Sequence, residues 1–497
     1  MPQKKYGIKL FSFILFLFTP IIGSALPIDW QGKFGVDTTL ITNFRKVTDG
    51  STIASPVGSG SQVVSDAGSS EASFQSYLLS LKPIIIVNDA STLKAELSTG
   101  YGRGGKIGEN GQQDGEKDAT GDFVGDMGGA LYNINTTTEK ALNINQLYLE
   151  LFADTATYII GRHKAHWGLG AVINDGKNLW DRHFYSRDGI TIKMKVGNFY
   201  IDPFWARLSS GNKLVSSAST TEYGFSILYD NPENDLGFGL LYRKKVSGSS
   251  NATMKSGISG TANSLGEANV KLIDIYFKKM FGNLKLEVEV PIVTGSIGKI
   301  FSSSSSADFN SKAILVEAEY KYNNKWTFGA TIGSIDGEDG NTDEFNAFYL
   351  HPNYQIANIL FRYNFSAVKN SDTQSIYDSY ITNTQFMKLY ANYTMDNWFW
   401  DIGFIYANAI ETAKSGKAAY NHTSHRTFTT GNSLNQDKSM GFEIDAGFTY
   451  LWNNEIKIGS SLGYSVPGDY YAFTNNSSDS VALANSYSMQ LNLGVTF

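Results

Sequence analysis

The chain is 497 residues long, carries 41 Lys and Arg against 47 Asp and Glu for a net charge of −6, and has no cysteine. A disulfide-stapled scaffold and a Cys-ligated metal or cluster are therefore excluded, and without a basic block there is little to neutralise the phosphates of a nucleic acid. Charged residues make up only 18% and aromatics 13%, against roughly 25% charged in an average soluble protein, a balance that suits β-structure and argues against disorder.

Residues 1–25 read as an export signal. Lys4, Lys5 and Lys9 form a positive start, Leu10 to Ile22 an apolar stretch, and Gly23-Ser24-Ala25 a small-residue cleavage site. The apolar stretch is too short for the ~20 residues of a membrane helix, so cleavage after Ala25 is expected, leaving 26–497 as the folded part. Beyond it every apolar run is soon broken by a charge or an amide. An exported chain without a helical anchor is either soluble or a β-barrel.

Alternation of period two then recurs along the chain. Ile190, Ile192, Met194 and Val196 alternate with Thr191, Lys193 and Lys195; Leu284, Leu286, Val288 and Val290 alternate with Lys285, Glu287 and Glu289. Phe442, Ile444, Ala446, Phe448 and Tyr450 alternate with Glu443, Asp445 and Thr449, and the last strand sets Tyr487, Met489, Leu491, Leu493, Val495 and Phe497 against Gln490, Asn492, Gly494 and Thr496. One apolar and one charged face fit a strand standing between lipid and water. On this pattern Lys193, Lys195, Glu287, Glu289, Glu317, Glu319, Glu443 and Asp445 face the lumen.

Short turn signals separate the strands at Asn88-Asp89, Ala153-Asp154, Gly197-Asn198, Asn231-Pro232, Gly282-Asn283, Asn323-Asn324, Pro352-Asn353, Asp396-Asn397 and Asn453-Asn454. Between them run long polar connections at 45–72, 101–141, 162–189, 209–221, 247–270, 295–311, 335–344, 366–382, 410–439 and 466–485. Short and long alternate, as in a barrel with short periplasmic turns and long external loops. With Phe345–His351 taken as a strand, the expectation is an all-β, transmembrane, antiparallel up-and-down barrel of about twenty strands, within a range of 18–22. Trp30, Tyr322, Trp326, Trp398, Trp400, Tyr450, Trp452 and Phe497 all fall beside the expected periplasmic ends of strands, where an aromatic girdle belongs.

The ending Val495-Thr496-Phe497 resembles the C-terminal signal of bacterial outer-membrane proteins, which implies delivery to the barrel-assembly machinery. Gly161-Arg162 at a strand end, the long loop after it and the return at Asp188-Gly189 resemble large porins and alginate-export-like barrels. In those families such a loop can fold inward and narrow the pore. The resemblance implies a channel for passive diffusion of small hydrophilic solutes in the outer membrane of a Gram-negative bacterium. The architecture is also similar, more distantly, to porin-like outer-membrane proteins of predatory Gram-negative bacteria. That implies the alternative of an oligomeric barrel that encloses lipid and organises membrane. A homo-oligomer and outer-membrane lipids are the expected partners in either case.

Within the loop, Arg162, Lys164, Lys177, Arg182 and Arg187 oppose Asp175, Asp181 and Asp188. Charges of both signs across a wet lumen set a transverse field and filter solutes. The inward carboxylates depart from the broadly basic lumen of the alginate-export pattern. His163-x-x-His166 lacks a carboxylate cluster beside it, and no metal or cofactor is expected. His422-Thr423-Ser424-His425 and Asp378-Ser379 offer hydrolytic residue types without a flanking constellation, so no enzymatic activity is expected. Gly102-Arg103-Gly104-Gly105 and Gly125 to Gly129 lack the strand-to-helix setting of a phosphate cradle. Asp114, Glu116, Asp118, Asp122 and Asp126 match no EF-hand spacing.

Overall fold

The computed structural model describes residues 27–43, 71–98, 143–210 apart from 182, 219–247, 253–255, 262–264, 268–298, 305–363 apart from 342, 379–422, 426–473 apart from 432, and 483–497. The expected export signal, the glycine-rich and acidic pieces at 102–129, Arg182, Asp378 and Ser424-His425 lie outside the described residues.

The strands begin with β1 Ile28–Thr42, β2 Glu71–Asn88, β3 Ser91–Ser98, β4 Asn143–Phe152, β5 Ala156–Lys164 and β6 Ser186–Val196. They continue with β7 Phe199–Ser210, β8 Ser219–Asn231, β9 Leu236–Ser247, the short β10 Thr253–Lys255 and β11 Ala262–Ser264, then β12 Ala268–Phe281 and β13 Leu284–Gly298. After these come β14 Ala307–Lys321, β15 Trp326–Ile335, the two-residue β16 Glu344–Phe345, β17 Thr384–Met395 and β18 Trp398–Ala409. The last are β19 Ala418–Asn421, β20 Arg426–Thr429, β21 Ser439–Leu451, β22 Ile456–Pro467 and β23 Ser486–Thr496.

One 19-stranded sheet contains all of them except the two small hairpins β10–β11 and β19–β20. Within it β16 runs parallel beside β14 and stands apart from the wall, so eighteen strands form the barrel. Every wall pair is antiparallel, and β1 pairs with both β2 and β23, from Lys33 opposite Thr496 to Thr42 opposite Tyr487. That last ladder closes the cylinder and leaves the sheet without an edge.

The alternation explains which face is which. On β12, buried Ala268, Val270, Leu272 and Asp274 alternate with exposed Asn269, Lys271, Ile273 and Ile275. Outside, the exposed set is largely apolar, with Ile273, Ile314, Ile332, Leu389, Ile402, Ile444, Leu462 and Leu491 among its members. A continuous apolar belt around a closed cylinder is the surface of a protein that spans a bilayer. At the turn end the girdle is present: Trp30, Tyr322, Trp400, Trp452 and Phe497 are exposed, with ring centroids 4.7 Å apart between Trp326 and Tyr393 and 4.6 Å between Trp398 and Tyr450. Gly197 and Gly282 open two of the tight turns at φ 59° and 62°, the left-handed region that glycine enters freely.

The wall corrects the expected strand number. Eight of the nine expected short turns join wall strands, but Pro352-Asn353 does not, and Phe345–His351 is no strand of the barrel. This stretch lacks the two-faced pattern a wall strand needs, since Ala347, Phe348, Tyr349 and Leu350 are consecutive apolar residues and all are buried. A segment apolar on every side must be surrounded by protein on every side, and it lies inside the barrel.

Candidate functional site

Two segments enter the lumen. The first, 165–185, leaves the end of β5 and returns into β6. Its own backbone ties it into a compact loop, with Ala165 N–H on Tyr185 O at 3.1 Å, Trp167 N–H on Ile173 O at 3.0 Å and Tyr185 N–H on Asn174 O at 2.6 Å. Its tip crosses to the far wall, where Leu169 N–H donates to Glu289 Oε2 of β13 at 2.5 Å. Gly168, at φ 54°, has room for no Cβ, which would meet the same carboxylate. On the other side, Lys33 of β1 donates to Asn178 O at 2.7 Å, and Trp180 and Leu179 sit against Gly35 and Gly494, where any side chain would collide with them.

The second segment, 346–363, lies between β16 and β17. Glu443 of β21, fully buried, accepts N–H groups from Asn358, Ile359 and Leu360 at 2.8, 2.7 and 2.7 Å, and Asp445 accepts a further bond from Asn358 at 3.0 Å. Tyr354 OH donates to Glu317 of β14 at 2.6 Å and Arg362 donates to Gln490 of β23 at 3.1 Å. The two segments also interlock: His351 N–H donates to Ala171 O at 2.7 Å and Asn353 Nδ2 to His183 O at 2.6 Å. One apolar cluster joins Trp167, Ile173, Phe348, Leu350, Ile356 and Leu360 to inward Leu272 and Leu315 of the wall.

Charge divides between two cavities. The first, about 320 Å³, is lined by Lys82, Lys164, Lys177, Arg187 and Lys193 with His163 and His166, against Asp175 and Asp202. The second, about 420 Å³, has Glu317, Asp401 and Asp445 against Arg362 and Lys388. The first is cationic and the second mildly anionic, and they stand against different arcs of the wall.

The expected loop residues separate accordingly. Arg162 and Asp188 are spent on each other in a buried two-pronged pair at 2.6 Å, away from the cavity. Lys164 pairs with Glu96 at 2.6 Å and stands 4.8 Å over the Phe184 ring. Arg187 is bonded to buried Glu222 at 3.2 Å and lies over the Phe204 ring at 3.5 Å. Asp181 caps its own turn by accepting Asn178 N–H at 3.0 Å. Asp175 faces His166 at 3.4 Å; burial opposes its ionisation, but His166, Lys177 and Lys164 outweigh burial and hold its carboxyl below the usual range.

Of the inward-facing candidates, Glu289, Glu443 and Asp445 hold backbone N–H groups, Glu317 takes the Tyr354 hydroxyl, Glu287 the Tyr276 hydroxyl at 2.6 Å, and Glu319 the Tyr390 hydroxyl at 3.4 Å. Lys193 lines the cationic cavity, and Lys195 stands 5.0 Å over the Tyr200 ring. His163 and His166 do not converge. His163 faces Gly161 O and Thr191 Oγ1, whereas His166 faces Asp175. Among the described residues no three His, Asp or Glu side chains are grouped to hold a metal. His422 accepts Glu338 N–H at 2.8 Å within a buried loop cluster, so its ring nitrogen is already engaged.

Sequence reasoning missed Lys82, Asp202, Lys388 and the whole second segment. It also missed Glu222, which Tyr185, Arg187, Arg243 and Lys245 surround. Three consecutive basic residues, Arg243-Lys244-Lys245, hide the two-residue period there; counting from inward Leu241 would have separated Arg243 and Lys245 from Lys244.

No family model and no curated protein matches the chain. Among solved structures it is similar to Pseudomonas aeruginosa OccK2 (OpdF), solved in complex with glucuronate, at 7% identity and TM-score 0.47 over 94% of this chain and 98% of that one. Acinetobacter baumannii OccAB4 is similar at 9% identity and TM-score 0.46 over 94% and 98%, and an anion-selective porin from Comamonas acidovorans at 10% and 0.39 over 95% and 99%.

Proposed function

We propose that the protein is an outer-membrane channel for passive diffusion of small hydrophilic solutes, narrowed by the loop around 162–189 together with segment 346–363. The observation that supports this reading is a charged segment tied across a closed barrel, with a cationic cavity of about 320 Å³ beside it. Solutes passing the constriction would meet Lys82, Lys177, Lys193 and Arg187 on one side and Asp401 and Glu317 on the other, a field across their path. The chain would be exported by its first 25 residues and delivered to the barrel-assembly machinery through Phe497, whose backbone exchanges two hydrogen bonds with Gly32 where the barrel closes. In the membrane it would sit among outer-membrane lipids as a homo-oligomer.

The test is single-channel conductance in a planar bilayer, with the mass of the same sample. Stable steps with weak selectivity support the channel. If neutral replacements of Arg182 and Arg187 leave conductance and ion selectivity unchanged, the narrowing role of their loop is wrong. One observation favours a second reading, a barrel that organises membrane: the interlocked segments carry a continuous apolar core through the lumen. Silent but correctly inserted barrels in a large, lipid-retaining oligomer would decide for it.

A further inference from the structure

At its loop-side rim the outer face of the wall is charged in one arc and uncharged in the arc opposite. One rung of the ladder across neighbouring strands reads Trp205, Tyr223, Lys244, Lys271, Thr294 and Asn310. All six face outward, in phase with exposed Phe238, Ile273 and Ile314. Arg207 stands one alternation above this rung and Lys312 one below. On the opposite arc the outward residues at this end are uncharged: Gln385, Tyr406, Asn408, Phe442, Tyr464 and Tyr487.

Lys244 and Lys271 are directly opposed cross-strand partners, an arrangement in which like charges repel. Among the described residues neither meets a carboxylate; Lys244 has the Tyr223 ring at 5.9 Å. The acidic groups nearby sit at one end: Asp308 two residues above Asn310 with Glu344 opposite it on β16, and Asp336, which accepts the Lys312 N–H and also faces the Lys312 charge. The level of the rung is also informative. From exposed Phe281 at the turn end to Lys271 is ten residues of β12, which at about 3.3 Å each and a tilt near 40° rises about 25 Å, the height of an apolar barrel belt. Lys244 and Lys271 therefore stand where headgroups of the loop-side leaflet begin.

We infer that Arg207, Lys244, Lys271 and Lys312 form a site for the headgroup of a lipid carrying two phosphates, whose chains lie over Tyr242, Ile273 and Ile314. An anion between Lys244 and Lys271 converts their repulsion into two charge-assisted bonds. Lys312 lies two strand spacings across and two residues along from Lys271, about 12 Å away, too far for the same phosphate and suited to a second. The rung also offers Thr294 and Asn310 between them as hydrogen-bonding groups. The site is on the outside of the barrel and does not depend on whether the lumen conducts.

The experiment is native mass spectrometry of the detergent-solubilised full chain titrated with lipid A bearing two phosphates, with its dephosphorylated form and with phosphatidylglycerol. The two-phosphate lipid should be retained best, and retention should fall with salt. Lys244→Gln and Lys271→Gln should each weaken it about fivefold, Lys244→Arg with Lys271→Arg should keep it, and Lys279→Gln at the turn side should leave it unchanged. Equal retention of the dephosphorylated lipid, or of the two-phosphate lipid by the double Gln variant, overturns the proposal. So does a double variant whose oligomer mass falls while lipid retention holds, because the arc is then a contact between protein chains.

Discussion

Segment 165–185 and segment 346–363 are both tied to the wall by a fully buried carboxylate that receives backbone N–H groups, Glu289 for the first and Glu443 for the second. Each anchor has a second carboxylate from its own ladder close by, Asp274 opposite Pro291 beside Glu289, and Asp445 on the same strand as Glu443. What they turn to the water differs. The first presents His166, Asp175 and Lys177 to the cationic cavity; the second is apolar for most of its length and reaches its cavity through Tyr354, Gln355 and Arg362. The lesson is that holding and facing are separate tasks here. Carboxylates on the wall do the holding, so the lumen's field is set mainly by the charges left over, and most of these are cations on one arc.

The largest effect should come from Glu443→Ala. It strips the acceptor from the buried Ile359 and Leu360 N–H groups and leaves Asn358 N–H with Asp445 alone, and each unsatisfied buried group costs about 1–3 kcal/mol. Segment 346–363 should then leave its seat, with larger and noisier conductance steps and faster amide exchange at Asn358, Ile359 and Leu360. Glu289→Ala should do less, because the first segment keeps Lys33, the seats at Gly35 and Gly494, and its hold on Asn353. Equal effects from the two variants would break the comparison, since they would show that the anchors and not the remaining contacts carry both segments.

How far this was legible can be judged from the same two segments. The alternating strands, the turn dipeptides and the girdle name their own places, since a wall strand must show lipid and lumen opposite faces. The loop at 162–189 announced itself by charge and glycine. Segment 346–363 did not, because its tyrosines and branched residues have strand propensity and Pro352-Asn353 has turn chemistry; only the absence of a polar face marks it as interior. The roles of the inward acids were hidden for another reason. Period two places Glu289 and Glu443 on the inner face, but whether they meet water or a backbone depends on a segment more than eighty residues away in sequence.

A middle-sized effect concerns the loop side, where segment 346–363 is fastened at its start. Glu338 accepts Gly340 N–H and Asn346 N–H at 2.8 and 2.6 Å, and burial raises its carboxyl to about 8. Burial lowers His422, which accepts Glu338 N–H, to about 3. A carboxyl raised in the folded state contributes stability that is lost as pH climbs from its unfolded value of 4.5 to about 8, whereas buried neutral His422 gains stability only up to 6.5. Of these two groups, only Glu338 changes between about 6.5 and 8. Protection of the Asn346 amide should therefore fall across that window, and Glu338→Gln should flatten the profile. A profile that keeps its slope in the Gln variant would remove Glu338 as the fastening.

The smallest effect tests the uneven charge itself. Lys82 and Lys193 line the cationic cavity, and no carboxylate pairs with either among the described residues, unlike Lys164 and Arg187. Removing one such charge changes the local interaction with a passing ion by roughly 0.5 kcal/mol in a well-hydrated lumen, about twofold in permeability. Lys82→Gln and Lys193→Gln should each move the reversal potential in a salt gradient toward cation preference, and the pair should move it further. Lys388→Gln, across the lumen among Glu317, Asp401 and Asp445, should move it the same way by less, because carboxylates already offset that lysine. If Lys388 proves the strongest of the three, permeating ions follow the anionic cavity and the cationic one lies off their path.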